Sequence, residues 1–139
     1  MCLIIGRVIK KYIANDPITV YKVVVSREGL IGYLTPYQEA YVQLGKTYYS
    51  DINIRKEDGA YNVYEALHSF VDIPASLQHM IIPMSGYCSV ILKCIIPKGS
   101  EYYKGFSIFS GEARAAYASN KLKYIKVIKQ FTYNDTTTD

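Results

Sequence analysis

The run from Tyr87 to Ile96 (YCSVILKCII) constrains the fold more than any other segment of the chain. Most of its residues are apolar, and the turn signal Pro97-Lys98-Gly99-Ser100 follows it directly. An apolar run of this length, bounded by a turn, is typical of a strand that is buried on both faces. We therefore expect a strand at the centre of a sheet. No stretch approaches the length of a membrane-spanning helix, so no membrane partner is expected.

Several other segments predict strands that pair with this one. Residues 18–26 (ITVYKVVVS) are rich in β-branched side chains and end at a turn signal, and residues 32–34 are predicted to continue into a hairpin. Residues 44–49 (LGKTYY) predict a turn that enters a short strand. Residues 61–70 predict either a short strand or the approach to a helix. Residues 122–133 alternate partly between apolar and basic side chains.

Two segments predict short helices. Residues 74–80 (PASLQHM) begin with proline at a first helical position, and Asp72 precedes them as a capping group. Residues 113–118 are mostly small and predict a helical turn. The fold class expected from these patterns is α+β, a mainly antiparallel sheet with one or two short helices. We expect a single domain over residues 1–133, followed by a polar C-terminal tail over residues 134–139.

Length and charge limit the classes of partner. With 139 residues the chain is long enough for one compact domain. Residues 1–27 carry a net charge of +4, residues 28–97 of −3 and residues 98–139 of +3. A protein that binds duplex nucleic acid usually has a denser basic stripe, so we expect no such partner. A small anionic ligand needs only a few cations, and this balance allows one, although it serves solubility equally well.

The cysteines and histidines predict neither a metal site nor a cofactor. Three cysteines are an odd set without metal-like spacing, which favours a reducing compartment and a cytoplasmic location. The apolar stretch near residue 1 is too short for a signal peptide. Cys88 and Cys94 are expected to be buried free thiols on one face of a strand. His68 is expected to be hydrogen-bonded within the fold, and His79 to lie on a helix.

Cys2 offers an enzymatic alternative. Removal of Met1 would expose its thiol beside an α-amine that could serve as a base. No recognisable oxyanion hole or substrate-binding set lies nearby in the sequence, and the segment is equally well explained as apolar. We therefore predict that the protein is not an enzyme.

Tyrosine is the unusual component of the composition. The chain has fifteen tyrosines, four phenylalanines and no tryptophan. In PKGSEYYKG, residues 97–105, lysines and tyrosines surround a glycine-containing turn whose backbone N–H groups can receive a phosphate, while tyrosine rings can stack on a base. The alternative is a polar turn with solvated lysines. Arg114 can clamp a phosphate bidentately. The GKT at residues 45–47 lacks the earlier glycine of a phosphate-binding P-loop.

These patterns give a set of candidate ligand-binding residues that are aromatic or basic and lie beside turns, glycines or other basic groups. The set is Tyr37, Lys46, Tyr48, Lys98, Tyr102, Tyr103, Lys104, Arg114 and Tyr117.

The chain resembles a set of small phage and prophage proteins of gut bacteria. The similarity lies in the MCLII start, LGKTY, LHSF, IIPKGSEYYKG and the YAS at residues 117–119, and it spans most of residues 1–125. In the order of GKTY, HSF and a late strand, the chain is more loosely similar to phage proteins that counter bacterial defence. These include Thoeris anti-defence proteins, which oligomerise and sequester cyclic ADP-ribose-type signals. This resemblance implies an anti-defence role and a homo-oligomer, but it assigns no ligand-binding residue.

The late block KCIIPKGSEYYKG with YASNKLKYIKVI also resembles the closing strands of ADP-ribosyltransferase domains. Those enzymes carry a catalytic glutamate on a late strand, in an E-x-E or Q-x-E arrangement. The last predicted strand here carries lysines and no glutamate. The departure argues against transferase activity and leaves a degenerate fold with a nucleotide-shaped groove as one interpretation.

The leading functional prediction is a phage-encoded binding protein that sequesters a small anionic nucleotide signal, such as a cyclic nucleotide or an ADP-ribose derivative, without catalysis. The alternative is an inhibitor that docks on a host defence enzyme through a tyrosine-rich surface, since tyrosine gives a large contact area at low entropic cost.

Overall fold

The computed structural model describes residues 3–27, 31–35, 41–73, 87–109 and 112–132. The predicted helix at residues 74–80, with His79, lies outside this part of the chain, and so do Cys2, Tyr37 and the tail over residues 134–139.

The described residues form thirteen strands in one sheet, and every pair of neighbouring strands is antiparallel. The strands are β1 (Leu3–Gly6), β2 (Tyr12–Ile13), β3 (Ile18–Arg27), β4 (Tyr33–Leu34), β5 (Tyr41–Val42), β6 (Thr47–Tyr49), β7 (Asn53–Glu57), β8 (Ala60–Glu65), β9 (Leu67–Phe70), β10 (Tyr87–Ile96), β11 (Glu101–Phe109), β12 (Glu112–Ser119) and β13 (Lys121–Thr132). Their order across the sheet is β6-β13-β10-β3-β9-β12-β11-β1-β8-β7. Strand β2 pairs with β11, and β4 pairs with both β3 and β5.

The expected central strand is confirmed. Strand β10 spans Tyr87–Ile96 and lies between β3 and β13. It pairs with β3 over ten consecutive positions, and the predicted hairpin return is β4, which pairs with β3 at Val25↔Leu34. The turn at residues 44–45 leads into β6, as the LGKTYY pattern predicted.

The predicted α+β class is wrong. The described residues are nearly all antiparallel sheet and contain no α-helix. Residues 113–118, expected as a helical turn, belong to β12, which pairs with β11 along one edge and with β9 along the other. Pairing on both edges overrides the helix propensity of the alanines. In the described part of the chain, no helix is long and apolar enough to cross a membrane.

The sheet buries two groups of side chains on its opposite faces, and β11 and β12 contribute to both. The large core consists of Ala14, Val20, Val24, Val42, Val90, Leu92, Cys94, Ile96, Tyr102, Leu122 and Tyr124. The small core consists of Leu3, Val63, Ala66, Phe70, Ala116 and Ala118. Because successive strand residues point to opposite faces, Tyr117 packs on the large core while its neighbours Ala116 and Ala118 lie in the small one.

Gly105 allows β11 to pass close to β1. A Cβ atom at this position would overlap the backbone carbonyl oxygen of Ile4 and crowd the side chain of Leu3. The obstacle is main chain within a paired strand, so it cannot move aside without disturbing the β1–β11 pairing at Ile4↔Phe106.

We expect Gly105→Ala to lower the free energy of unfolding by about 1–3 kcal/mol, as is typical when a methyl group is forced into a filled site. Urea denaturation measures the change. Thr19→Ala, at an exposed position of β3, is the control and should cost less than about 1 kcal/mol. Equal losses in the two variants would show that the close approach at Gly105 is unimportant.

Candidate functional site

Three of the candidate residues meet beside β2. Strand β11 places Tyr102 and Lys104 two residues apart and therefore on one face, and Tyr117 of β12 lies directly opposite Lys104. Strand β2 places Tyr12 opposite Tyr102. We call Lys10, Tyr12, Tyr102, Lys104 and Tyr117 the tyrosine–lysine cluster.

The three rings of the cluster are in contact. Tyr12 stacks on Tyr102 with ring centroids 5.4 Å apart and an interplanar angle of 23°. Tyr117 meets Tyr102 edge-on, also at 5.4 Å, with an angle of 66°. Tyr102 is only 8% exposed, so its ring belongs to the large core and supports the other two. Tyr12 is half-buried, so part of its ring remains at the surface while Tyr102 supports it from the large core.

Two ammonium groups lie near the same ring. The Nζ atom of Lys104 is 4.5 Å from the centroid of Tyr12, and that of Lys10 is 5.0 Å away. Both distances are within the range of cation–π attraction. Both lysines are exposed, and neither forms an ion pair with another described residue. The nearby carboxylate of Glu101 pairs with Lys11 at 3.3 Å instead.

The other candidates lie elsewhere. Tyr103 packs on the small core, and Arg114 shares the strand face of Ala116 and Ala118, so both are on the far side of the sheet from Lys104. Lys98 is exposed at the turn after β10, and Lys46 is exposed before β6. Two N–H groups of the turn at residues 97–100 already donate within the fold, that of Gly99 to the Ala14 carbonyl and that of Ser100 to the Pro97 carbonyl.

Sequence reasoning did not identify Lys10 and Tyr12. Their signal is the adjacent KKY of residues 10–12, which combines basic and aromatic side chains as YYK does at residues 102–104. Strand β2 has only two residues, which is too short to show an alternating pattern. Only the pairing with β11 brings these side chains to the cluster.

A second polar feature lies beside the large core. Lys22 occurs on β3 between Val20 and Val24, and alternation places all three on the same face. Its Nζ donates a hydrogen bond to the backbone carbonyl of His68, at 2.7 Å. Lys22 also lines a cavity of about 180 Å³, which we call the Lys22 cavity. The described residues that line it are Lys22, Thr35, Val42, Tyr48, Tyr49, Ser50, Leu67 and Tyr124.

The candidate Tyr48 belongs to the wall of the Lys22 cavity. Its ring meets that of Tyr124 edge-on, at 5.4 Å and 75°. Its hydroxyl oxygen accepts a hydrogen bond of 2.8 Å from the backbone N–H of Gln43. Tyr48 is therefore held in place within the protein, on a different part of the large core from the tyrosine–lysine cluster.

Burial determines the protonation states around Lys22. It lowers the pKa of Lys22 from 10.5 to about 8, and the interaction with Cys94 partly opposes this shift. It raises the pKa of the Cys94 thiol from 9.0 to about 12, and raises that of Tyr124 well above its usual value. Burial, aided by the charge of Lys22, lowers the pKa of His68 from 6.5 to about 4. At pH 7 the lysine is thus mostly charged, while His68, Cys94 and Tyr124 are neutral.

His68 and Cys94 have the structural roles that the sequence predicted, whereas Cys88 is half-buried and not buried as expected. His68 is 5% exposed, and its Nε2 lies 3.3 Å from the carbonyl oxygen of Val63, to which the neutral ring can donate. Cys88 and Cys94 are free thiols on β10, half-buried and buried respectively. No group of three or more potential metal ligands is present among the residues that the structure describes.

Comparison with known proteins assigns no family: no family model, curated protein or solved structure gives a significant match to this chain.

The lowered pKa of Lys22 makes stability depend on alkaline pH. Between pH 8 and 10.5 the unfolded chain holds the Lys22 proton while the folded protein releases it, so the free energy of unfolding rises with pH in this window. Relative to that of Lys22→Met, we expect the free energy of unfolding of the wild type to rise by up to about 3 kcal/mol from pH 8 to 10.5. Denaturant unfolding at several pH values measures this difference, and parallel curves for the two proteins would contradict it.

The pKa of His68 predicts a loss of stability in acid. Between pH 6.5 and about 4 the unfolded chain binds a proton that the folded protein excludes, so the free energy of unfolding falls as pH decreases. Relative to His68→Gln, the wild type should lose up to about 3 kcal/mol across this window. NMR titration of the His68 ring provides an independent check, since a midpoint near 6.5 would show that burial does not suppress protonation.

Proposed function

We propose that this protein is a non-catalytic binding protein that captures a small anionic ligand of the nucleotide class at the tyrosine–lysine cluster. The observation that carries the proposal is the convergence of Lys10 and Lys104 on the ring of Tyr12, without an acidic partner among the described residues. The cluster combines the two elements that such a ligand needs, which are positive charge for a phosphate and an aromatic ring for a base.

The lysines provide the charge. Ammonium groups bind phosphate oxygens through short charge-assisted hydrogen bonds, which are about twice as strong as neutral ones. In the structure the carboxylate of Glu101 pairs with Lys11 and not with Lys10 or Lys104. Since both lysines are exposed, their attraction for an anion is screened by salt and should weaken as ionic strength rises.

The rings provide the second element. Stacking of a base on an aromatic side chain contributes about 1–3 kcal/mol. Tyr102 is enclosed by the core and cannot receive a base itself, so the half-buried Tyr12 is the ring that would contact it. Stacking on Tyr102 restrains Tyr12 before the ligand arrives, which reduces the entropic cost of binding.

The biological role proposed for this binding is anti-defence. In this role a phage protein sequesters a cyclic nucleotide or ADP-ribose-type signal in the bacterial cytoplasm. Such a protein must bind the signal tightly and be abundant, but it need not turn the signal over. The resemblance to phage and prophage proteins supports this role, and a homo-oligomer is part of the same proposal.

Isothermal titration calorimetry with cyclic ADP-ribose isomers and cyclic oligonucleotides tests the proposal. We expect binding by the wild type and a loss of affinity of about tenfold or more for Lys104→Gln, the usual cost of removing one charged hydrogen bond. Tyr12→Phe should retain binding because it keeps the ring, whereas Tyr12→Leu should weaken it. Lys126→Gln, at an exposed position of β13 away from the cluster, is the charge-matched control and should bind like the wild type.

Three results would overturn the proposal. The first is the absence of heat with every ligand at concentrations well above micromolar. The second is equal loss of affinity in Lys104→Gln and Lys126→Gln, which would indicate non-specific attraction by net charge. The third is recovery of a stoichiometric host protein from a bacterial lysate, which would favour an inhibitor that acts by protein contact.

A further inference from the structure

The Lys22 cavity contains a positive charge that the described fold does not neutralise. Among the described residues that line it, Lys22 is the only charged side chain, and the other members are aliphatic, aromatic or hydroxylic. Lys22 is itself half-buried on a strand face between two fully buried valines, and partial burial disfavours the charged form unless a partner stabilises it.

The Lys22 ammonium group has N–H donors that remain available to a ligand. An ammonium group has three N–H donors. One of them donates to the carbonyl of His68, and the described residues show no further hydrogen bond from Lys22. An anion in the cavity would accept the remaining donors and supply the missing negative charge.

Tyr48 can provide a second donor. Its hydroxyl oxygen accepts from the N–H of Gln43, which orients the group and leaves the hydroxyl proton to be donated to another acceptor. Ser50, by contrast, donates its hydroxyl proton to the carbonyl of Asp51. Lys22 and Tyr48, both among the described residues that line the cavity, thus supply an ammonium group and an oriented hydroxyl, which are suited to a carboxylate.

The size and walls of the cavity restrict the rest of the ligand. A volume of about 180 Å³ corresponds to about six water molecules, which leaves room for about six non-hydrogen atoms. This is below the roughly 300–1,000 Å³ of pockets that enclose larger ligands, which favours a small ligand over an enclosed nucleotide. Val42, Leu67 and the rings of Tyr48 and Tyr124 offer apolar surface for a short hydrocarbon chain.

We propose that the Lys22 cavity is a binding site for a short-chain monocarboxylate, with the Lys22 ammonium as its counter-ion and the Tyr48 hydroxyl as a second hydrogen-bond donor. The site uses a lysine different from those of the tyrosine–lysine cluster, so this proposal can be tested independently of the proposed nucleotide binding.

Butyrate, which has six non-hydrogen atoms, is the probe. Protein with isotope-labelled lysine is titrated with sodium butyrate at pH 7, and the Lys22 signal is followed by NMR against sodium chloride at the same ionic strength. We expect a saturable shift of the Lys22 signal with butyrate, and a smaller response to inorganic phosphate because it has no apolar part. The absence of a saturable shift at about 50 mM butyrate, where even millimolar affinity would be visible, would overturn the proposal. An equal response to phosphate or chloride would overturn it as well.

Variants provide the second measurement. Because Lys22→Met has no Lys22 signal, butyrate binding by the variants is followed through the backbone amide signals of the residues that line the cavity. Lys22→Met should bind butyrate at least tenfold more weakly, and Tyr48→Phe, which retains the ring, should weaken binding severalfold. Lys126→Gln is the control and should bind like the wild type. Because Lys22→Met could also perturb the fold, its urea unfolding is recorded in parallel. The shift of the Lys22 signal in the wild type tests the proposal even if this variant does not fold. Unchanged butyrate affinity in a folded Lys22→Met protein would refute the assignment.

Discussion

The ten consecutive residue pairs between β3 and β10 determine which side chains occupy the large core. They align Val20 with Cys94, Lys22 with Leu92 and Val24 with Val90, all on one face. A slip of one residue would place the side chains of one strand on the opposite face of the sheet from those that they now accompany on the partner strand. The position of Lys22 beside the cavity therefore depends on this register, and that of Tyr124 depends in addition on the register between β10 and β13.

The sequence predicts the strands that are richest in β-branched and apolar residues. It does not predict a strand where pairing with neighbouring strands outweighs the helix propensity of the residues. β3 and β10 were foreseen because their β-branched and apolar runs end at clear turns. β12 was mistaken for a helical turn because Ala113, Ala115, Ala116 and Ala118 are good helix formers, and no local signal reveals that both of its edges are paired. The alternation of Tyr117 with its alanine neighbours was the one local indication of a strand.

The candidate site could be predicted only in part, for a similar reason. The sequence patterns point to Tyr102, Lys104 and Tyr117, but they point equally to Tyr103 and Arg114, which strand alternation places on the other face. Tyr12 and Lys10 join the cluster through a contact with residues about ninety positions later, which composition cannot show. Lys22 was overlooked because a single lysine within an apolar strand gives no signal of what lies across the sheet.

The two ends of the strand order affect how copies of the protein can associate. Of the described strands, β6 and β7 lie at these ends; β6 has three residues, and β7 (NIRKE) carries exposed charged side chains. Short or charged edge strands discourage further chains from adding to a sheet by main-chain hydrogen bonding. Growth into an extended multichain sheet is thereby disfavoured at these two edges, which favours association of copies through side-chain contacts on a face of the sheet.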